Sequence, residues 1–404
     1  MPMLRCLFSF LLALAASLAA SAQTPCQLCQ RVDQLLGDTL FRHAFVGLYV
    51  YDLTADSLLV DRGATLQMRP ASVMKTLTTT VALHRLGGSY QYMTRLYTTG
   101  SIKHHRLRGN LIVQGGYDPR LGAQDIQQFV QALRSRDIRR IKGRILCDVS
   151  LKDTLPRGWG WCWDDDDMRQ TPLLYDGTDT FAPRLLAALD EAGIRYDKRD
   201  RVTSTFQWGT TIVDALPADG AATQIAVVRR PIDQVLVHML KESDNTYAES
   251  LYYQLRDSLH GHYPSHVVPA GIITDFVRDS LHVSPSTFRI ADGSGLSLYN
   301  SLTPQLVGRM LRFAYRHPEI YSHLYPALPV VGRDGTLKSR LRGTPAQGNV
   351  HAKTGSETGV STLAGYCTTA SGHQLCFAVF NMGQITSAPA RHWQDRLVLA
   401  LTTP

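Results

Sequence analysis

The chain has 404 residues, 44% apolar and 19% charged, which excludes both a disulfide-stapled miniprotein and a mostly disordered polypeptide. Lys and Arg number 42 against 34 Asp and Glu, a formal charge of +8 spread along the chain. Without a long basic block, a dedicated nucleic-acid arm is excluded; a diffuse positive field still suits an anionic substrate or surface.

Residues 1–22 read as an export leader, with Arg5 as the basic start, Leu7 to Leu18 as a short apolar stretch and Ala20-Ser21-Ala22 as a cleavage site. That stretch is short for a membrane span, and no later run reaches about 18 apolar residues; an uncleaved anchor is the alternative. Cys6 leaves with the leader, and Cys26, Cys29, Cys147, Cys162, Cys367 and Cys376 remain. An even number in an exported chain favours disulfides. Cys367 and Cys376 form a candidate pair across a hairpin turning at Ser371-Gly372, and Cys147 with Cys162 closes a second loop. Cys26-x-x-Cys29 has no strand before it and reads as a structural bridge. A single CxxC does not make a paired zinc site, and no cofactor is expected.

Phe45 to Val60 reads as a hairpin, followed by a break at Pro70 and a helix from Ala71 to Leu86 that stops at Gly87-Gly88. From Tyr90 to Val228 short strands (Gly109–Gln114, Ile141–Leu146) alternate with helices (Gln124–Arg134, Ala182–Gly193). Asp164–Asp167 lacks the alternating ligands of a calcium loop and reads as solvated. Pro231 to Leu255 is strongly helical. His260, His262 and His266 follow without an HExxH helix, so metal binding is not the preferred reading. A helix from Thr303 to His317, a strand from Val350 to Thr354, the Cys367/Cys376 hairpin and a helix from Pro389 to Leu401 complete the chain. This order predicts an α+β fold, an antiparallel sheet flanked by helices whose strands come from both chain ends, with a smaller α/β domain inserted.

Three short motifs occur once each, in this order: Ser72-Val-Met-Lys75, Ser243-Asp-Asn245 and Lys353-Thr-Gly355. Alone, each is an ordinary helix-surface or turn sequence. Together they suit acyl transfer. Positions i and i+3 share a helix face, so Lys75 can reach Ser72, whose place in the first turn favours developing negative charge. A buried lysine beside other cations loses its proton readily and then activates the hydroxyl. Ser243 can relay a proton to a leaving amine, and Asn245 can orient a substrate amide. Lys353, Thr354 and Ser356 can grip a carboxylate, and Gly355 lets a substrate strand approach. The N–H groups of Ser72 and Ser356 are candidates for an oxyanion hole.

On these motifs the chain resembles the low-molecular-mass penicillin-binding proteins of the peptidase S13 family, the D-alanyl-D-alanine carboxypeptidases and endopeptidases. Lys241–Glu249, Asp292–Ser297 with Asn300, Leu328–Leu337, Gly348–Gly355 and, in the insert, Gly109–Pro119 extend the likeness. It covers about Phe45 to Gly383. Against the family, Ser72 and Ser243 are closer together, sequence is missing between Asp167 and Phe181, Ser356 stands where Thr is usual, and His351 where Arg is common. His351 reads as an exposed strand histidine, and Ser294 as a turn residue near the cleft.

The resemblance implies the penicillin-binding protein/serine β-lactamase-like fold, with residues 23–88 and 229–404 as the DD-peptidase domain and 89–228 as the insert. It implies a periplasmic enzyme that hydrolyses peptidoglycan stem peptides through an acyl-enzyme on Ser72 and is inhibited by β-lactams. A serine β-lactamase and a non-catalytic wall-binding protein of the same fold are the alternatives.

Overall fold

The computed structural model describes residues 26–403 apart from 154, 166–167, 198–216, 218–219 and 257–264. The expected leader, Asp166–Asp167, His260 and His262 lie outside the described residues, as does the side chain of Cys26.

The described residues open with α1 (Cys26–Leu36), β1 (Phe45–Asp52) and β2 (Ser57–Arg62), then α2 (Met74–Leu86). Next come β3 (Gln91–Thr99), β4 (Ser101–Lys103), β5 (Arg106–Arg108), β6 (Leu111–Gln114), α3 (Ala123–Arg134), β7 (Arg140–Ile141), β8 (Ile145–Asp148), α4 (Phe181–Glu191) and β9 (Ala222–Pro231). Helices α5 (Ile232–Lys241), α6 (Asn245–Tyr252), α7 (Val267–Asp279), α8 (Pro304–Arg316) and α9 (Pro318–Ala327) lead to β10 (His351–Glu357), β11 (Val360–Thr368), β12 (Gln374–Met382) and α10 (Ser387–Thr402).

Five strands form one antiparallel sheet in the order β10-β11-β12-β1-β2, so both ends of the chain meet in it. One face packs on α2 and the helices around it through residues such as Tyr49, Tyr366 and Phe380. The other face packs on α10 and α1 through Leu48, Leu363, Val379 and Trp393. Strands covered on both faces carry continuous apolar runs, which is how β12 reads from Leu375 to Phe380. A second sheet, β8-β6-β3-β9, packs on α3 and α4 around Phe129, Leu133, Phe181 and Leu185. A small third sheet joins β4, β5 and β7.

Helix α2 is the axle of the site, buried from Met74 to Leu83. Its threonines fit an apolar setting because their hydroxyls return to backbone carbonyls: Thr76 Oγ1 donates to Val73 O, Thr79 Oγ1 to Lys75 O and Thr80 Oγ1 to Thr76 O. Thr78 Oγ1 lies 3.4 Å from Met74 O and also donates to Gly293 O at 2.7 Å, which ties the helix to the Asp292 turn.

Three expectations need correction. The helix expected from Ala71 begins as a 3-10 turn, Ala71–Val73, with Ala71 at φ 45. The helix expected over Pro231–Leu255 is two helices, broken at Glu242–Asp244, where Ser243 takes φ 62 and Asp244 caps α6 by accepting from Tyr247 N. Among the described residues the expected Cys147/Cys162 and Cys367/Cys376 pairs are not formed. Cys367 lies opposite Leu375 and Cys376 opposite Tyr366, one step out of register, so the two thiols lie in different cores on opposite sheet faces. Cys147 is buried in the second core, and neither it nor Cys162 is bridged.

Candidate active site

Ser72 sits in the 3-10 turn and Lys75 one turn later on α2, so both face the start of α6 and the edge strand β10. The Lys75 amine lies 2.9 Å from Ser72 Oγ, 2.6 Å from Asn245 Oδ1 and 2.9 Å from Ser294 O. A neutral amine has two hydrogens and one lone pair. Two carbonyl acceptors take the hydrogens, which leaves the lone pair aimed at the Ser72 hydroxyl.

Lys353 and Ser243 form the second half. The Lys353 amine donates to Ser243 Oγ at 2.8 Å and to Thr354 O at 2.7 Å. The left-handed conformation at Ser243 costs a non-glycine residue energy, and here it turns the hydroxyl from the helix axis toward β10. Thr354 Oγ1 donates to Thr336 Oγ1 at 2.8 Å. Gly355 is fixed by space. A Cβ there would stand 2.2 Å from Thr362 Oγ1 and 2.9 Å from both Pro70 O and Ser72 N. Any side chain would push β10 away from Ser72.

Both lysines are fully buried. Burial pushes Lys75 down to about 8, against the pull of Asp292 and Glu249. Burial, and then the charge of Lys75, holds Lys353 well below the usual lysine range.

Several functional groups were not assigned a role by the motifs. Glu249, buried on α6, accepts from Gly293 N and Ser294 N, and burial with Asp292 beside it pushes it upward. Asp292 accepts from Gly295 N, Ser297 N, Asn300 Nδ2 and Trp161 Nε1. The two carboxylates shape the turn that presents Ser294 O to Lys75. Gly295 closes the fit at φ 86, where a Cβ would stand 1.9 Å from Ala71 O. Their only signal in the sequence was acidic residues inside otherwise apolar or glycine-rich segments. On β10, Glu357 is raised to about 7 by burial and lies 3.6 Å from Arg69.

All eight residues expected at the site are therefore brought to one edge of the sheet. A cleft of about 510 Å³ is lined by Ser72, Ser243, Thr354, Gly355 and Ser356 and runs on to Thr336, Arg340 and Arg391. A larger hollow of about 740 Å³ beside Arg69 and Tyr299 contains none of the motif residues. Ser294 is the expected turn residue. His351 differs: it is half-buried, stacked 4.0 Å from Tyr325, and burial lowers its pKa. Among the described residues no group of three or more His, Cys, Asp or Glu is placed to hold a metal, and no helix is long and apolar enough to cross a membrane.

The sequence profile of the family described as "D-Ala-D-Ala carboxypeptidase 3 (S13)" matches residues 28–173 and 203–403. The chain is 25% identical to the D-alanyl-D-alanine carboxypeptidase DacB of Haemophilus influenzae, over 84% of this chain and 86% of that one. It is 29% identical to carboxypeptidase DacB of Mycolicibacterium smegmatis, over 82% of this chain and 75% of that one. Its fold is similar to the crystal structure of penicillin binding protein 4 from Haemophilus influenzae, with a TM-score of 0.77 at 22% identity, covering 90% of this chain and 97% of that one.

Proposed function

As the chain belongs to the D-Ala-D-Ala carboxypeptidase 3 (S13) family, we propose that it is a serine DD-peptidase that hydrolyses D-alanyl bonds of peptidoglycan stem peptides and is acylated by β-lactams. The observation that carries this reading is the amine of Lys75 held between Ser72 Oγ, Asn245 Oδ1 and Ser294 O.

In this reading Ser72 Oγ attacks the carbonyl of the D-alanyl bond, and its proton passes to neutral Lys75. The oxyanion is met by the N–H groups of Ser72 and Ser356, brought close by the bare Cα of Gly355. The C–N bond then breaks, and the leaving amine gains the proton that Lys75 took, through Ser243 Oγ. Lys353, Thr354 and Ser356 hold the carboxylate of the departing residue, and Asn245 orients the stem's amide. Water hydrolyses the ester, releasing the shortened stem and restoring Ser72.

The domain reading follows the same lines, with residues 23–88 and 229–404 as the DD-peptidase domain and 89–228 as the insert. It is supported by the separate apolar core that spans Leu96 to Val228. Work in a Gram-negative periplasm is part of the proposal and is supported by the leader pattern of residues 1–22.

The test is intact mass after benzylpenicillin, with D-alanine release from a pentapeptide measured alongside. A stoichiometric adduct that decays slowly, lost together with D-alanine release in Ser72→Ala, is expected. Release unchanged in Ser72→Ala would overturn the assignment. Rapid repeated turnover of penicillin would make the chain a β-lactamase instead.

A further inference from the structure

Away from the catalytic cleft, a cavity of about 320 Å³ opens where β3 and β6 meet the end of α6, and it shares no lining residue with that cleft. Its volume falls at the lower end of the roughly 300–1,000 Å³ that holds small-molecule ligands. Arg95 and Arg256 line it together with Gln91, Gln114, Gln254 and Gly116. The back wall is fixed. The Tyr90 hydroxyl donates to Gln254 Oε1 at 2.7 Å, and Gln254 Nε2 donates to Gly116 O at 3.1 Å. Gly116 lies so close to β3 that a Cβ would stand 2.1 Å from Met93 O.

The cations of this cavity have no counter-charge. Arg256 is half-buried, its Nη1 is shut away from solvent, and its guanidinium has no hydrogen-bond or ion-pair partner among the described residues. Burial holds it below the usual arginine range; Tyr90 opposes that shift and the charge of Arg95 adds to it. Arg95 Nη2 reaches only the thioether of Met93, at 2.9 Å, and Arg229 Nη1 reaches the same sulfur from β9 at 3.2 Å. A thioether is a weak acceptor and carries no charge. Asp148, behind Gln114, accepts from Gln114 Nε2 and Ser150 N and from none of the three arginines. A guanidinium taken partly out of water and left unpaired costs stability. Three of them around one cavity call for an anion from outside the chain.

We propose that this cavity binds a dianionic phosphate, free or as the monoester of a small molecule, clamped between Arg95 and Arg256. The planar guanidinium fork matches a pair of phosphate oxygens, and here two such forks line one small space. A single carboxylate would leave two of the three charges uncancelled, and a phosphate dianion leaves one. Arg95 belongs to β3, and Arg256 follows α6, the helix that opens with Asn245. The bound anion therefore relieves the repulsion between the two arginines and ties the second sheet to that helix.

The experiment applies titration calorimetry and thermal unfolding to the unaltered protein, Arg256→Met and Arg95→Gln, at constant ionic strength and about pH 8, where a phosphate group is mostly dianionic. The probes are inorganic phosphate, glycerol 3-phosphate and acetate. Inorganic phosphate is expected to saturate the unaltered protein and raise its unfolding temperature, and acetate to do neither. Each substitution should weaken phosphate binding roughly tenfold or more, the loss of one charged hydrogen-bonding partner. Without phosphate, Arg256→Met should unfold at the same temperature as the unaltered protein or higher, because it deletes an unpaired, half-buried charge. An arginine with a merely structural role would give the opposite sign.

Glycerol 3-phosphate that binds more tightly than inorganic phosphate assigns a monoester, and equal or weaker binding assigns free phosphate; either supports the site. No saturable binding of phosphate by the unaltered protein, equal stabilisation of all three proteins as a general salt effect would give, or acetate matching phosphate would each overturn the proposal. So would an Arg256→Met variant that unfolds well below the unaltered protein in phosphate-free buffer or fails to fold. None of these readouts involves Ser72, so the DD-peptidase reading stands or falls separately.

Discussion

Lys75 makes a quantitative prediction about pH. Burial costs the ammonium its hydration and pushes it down to about 8, while Asp292 and Glu249 oppose the shift. The group is basic and its pKa is lowered, so the neutral, proton-accepting form grows as pH rises through about 8. With that pKa about one-tenth of the molecules hold neutral Lys75 at pH 7, about half at pH 8 and about nine-tenths at pH 9. The second-order rate of acylation by benzylpenicillin should rise about tenfold between pH 7 and pH 9 and then level off. An unshifted lysine, near 10.4, would be neutral in fewer than about one molecule in a thousand at pH 7, and the rate would still be climbing beyond pH 9.5. Lys75→Arg keeps the charge and cannot release a proton in this range, so acylation should fall at least about a thousandfold and lose the rising limb. Rates are read from intact-mass time courses across buffers of constant ionic strength. A flat profile from pH 6 to 9, a climb without a plateau, or a limb that survives in Lys75→Arg would each refute the reasoning.

Gly355→Val should cut acylation at least about a hundredfold, because its Cβ overlaps Thr362 Oγ1 and forces β10 away from Ser72; circular dichroism should show a retained fold. Trp161→Phe removes one of four donors to buried Asp292 and should lower unfolding stability by about 1–2 kcal/mol in urea titration; an unchanged midpoint would mean the 158–165 loop is not anchored there. Alkylation in denaturant without reductant should label Cys147, Cys367 and Cys376, whereas in the native state burial, which raises all three thiols, should keep them unreactive. A missing label on Cys367 and Cys376 in denaturant would restore the bridge that the register argues against.

What was legible in the sequence and what was not divides along physical lines. Ser72 and Lys75 meet because helical spacing fixes them, and β10 meets Ser72 because only glycine fits at position 355. Motif residues under such local or steric rules could be read directly. The break at Glu242–Asp244 could not. The apolar pattern of Ile232–Lys241 continues in phase through Tyr247 to Leu251, so the periodicity hides it. Only the geometry at Ser243, a residue with no intrinsic preference for φ 62, reveals it. The cysteine pair failed for a related reason. A register one step different swaps sheet faces, and the Thr369–His373 turn, which sets that register, contains no sequence feature that separates the two choices. Glu249 and Asp292 escaped notice as site residues because their partners are backbone N–H groups, which every sequence has.

The same carboxylates explain how two buried amines can face one cleft. Lys75 and Lys353 are each stripped of water, and the charge of Lys75 raises the cost of charging Lys353. Alone, a pair of buried ammonium groups would either unfold the site or both lose their protons. Full neutralisation would remove the cation that grips the substrate carboxylate; full protonation would remove the base. Asp292 and Glu249 stand on the Lys75 side, but they spend their hydrogen-bonding capacity on the 293–297 turn and Asn300. They therefore moderate the shift of Lys75 without clamping it in a salt bridge. Lys353 has neutral acceptors, Ser243 Oγ and Thr354 O, and no carboxylate within hydrogen-bond reach among the described residues. A substrate carboxylate arriving at Thr354 supplies the counter-charge that Lys353 lacks. Binding should then favour protonated Lys353, and repulsion from it should lower Lys75 further, toward its neutral form. The order of events follows from electrostatics: the cation of the site is completed by the substrate, and that completion helps to prepare the base.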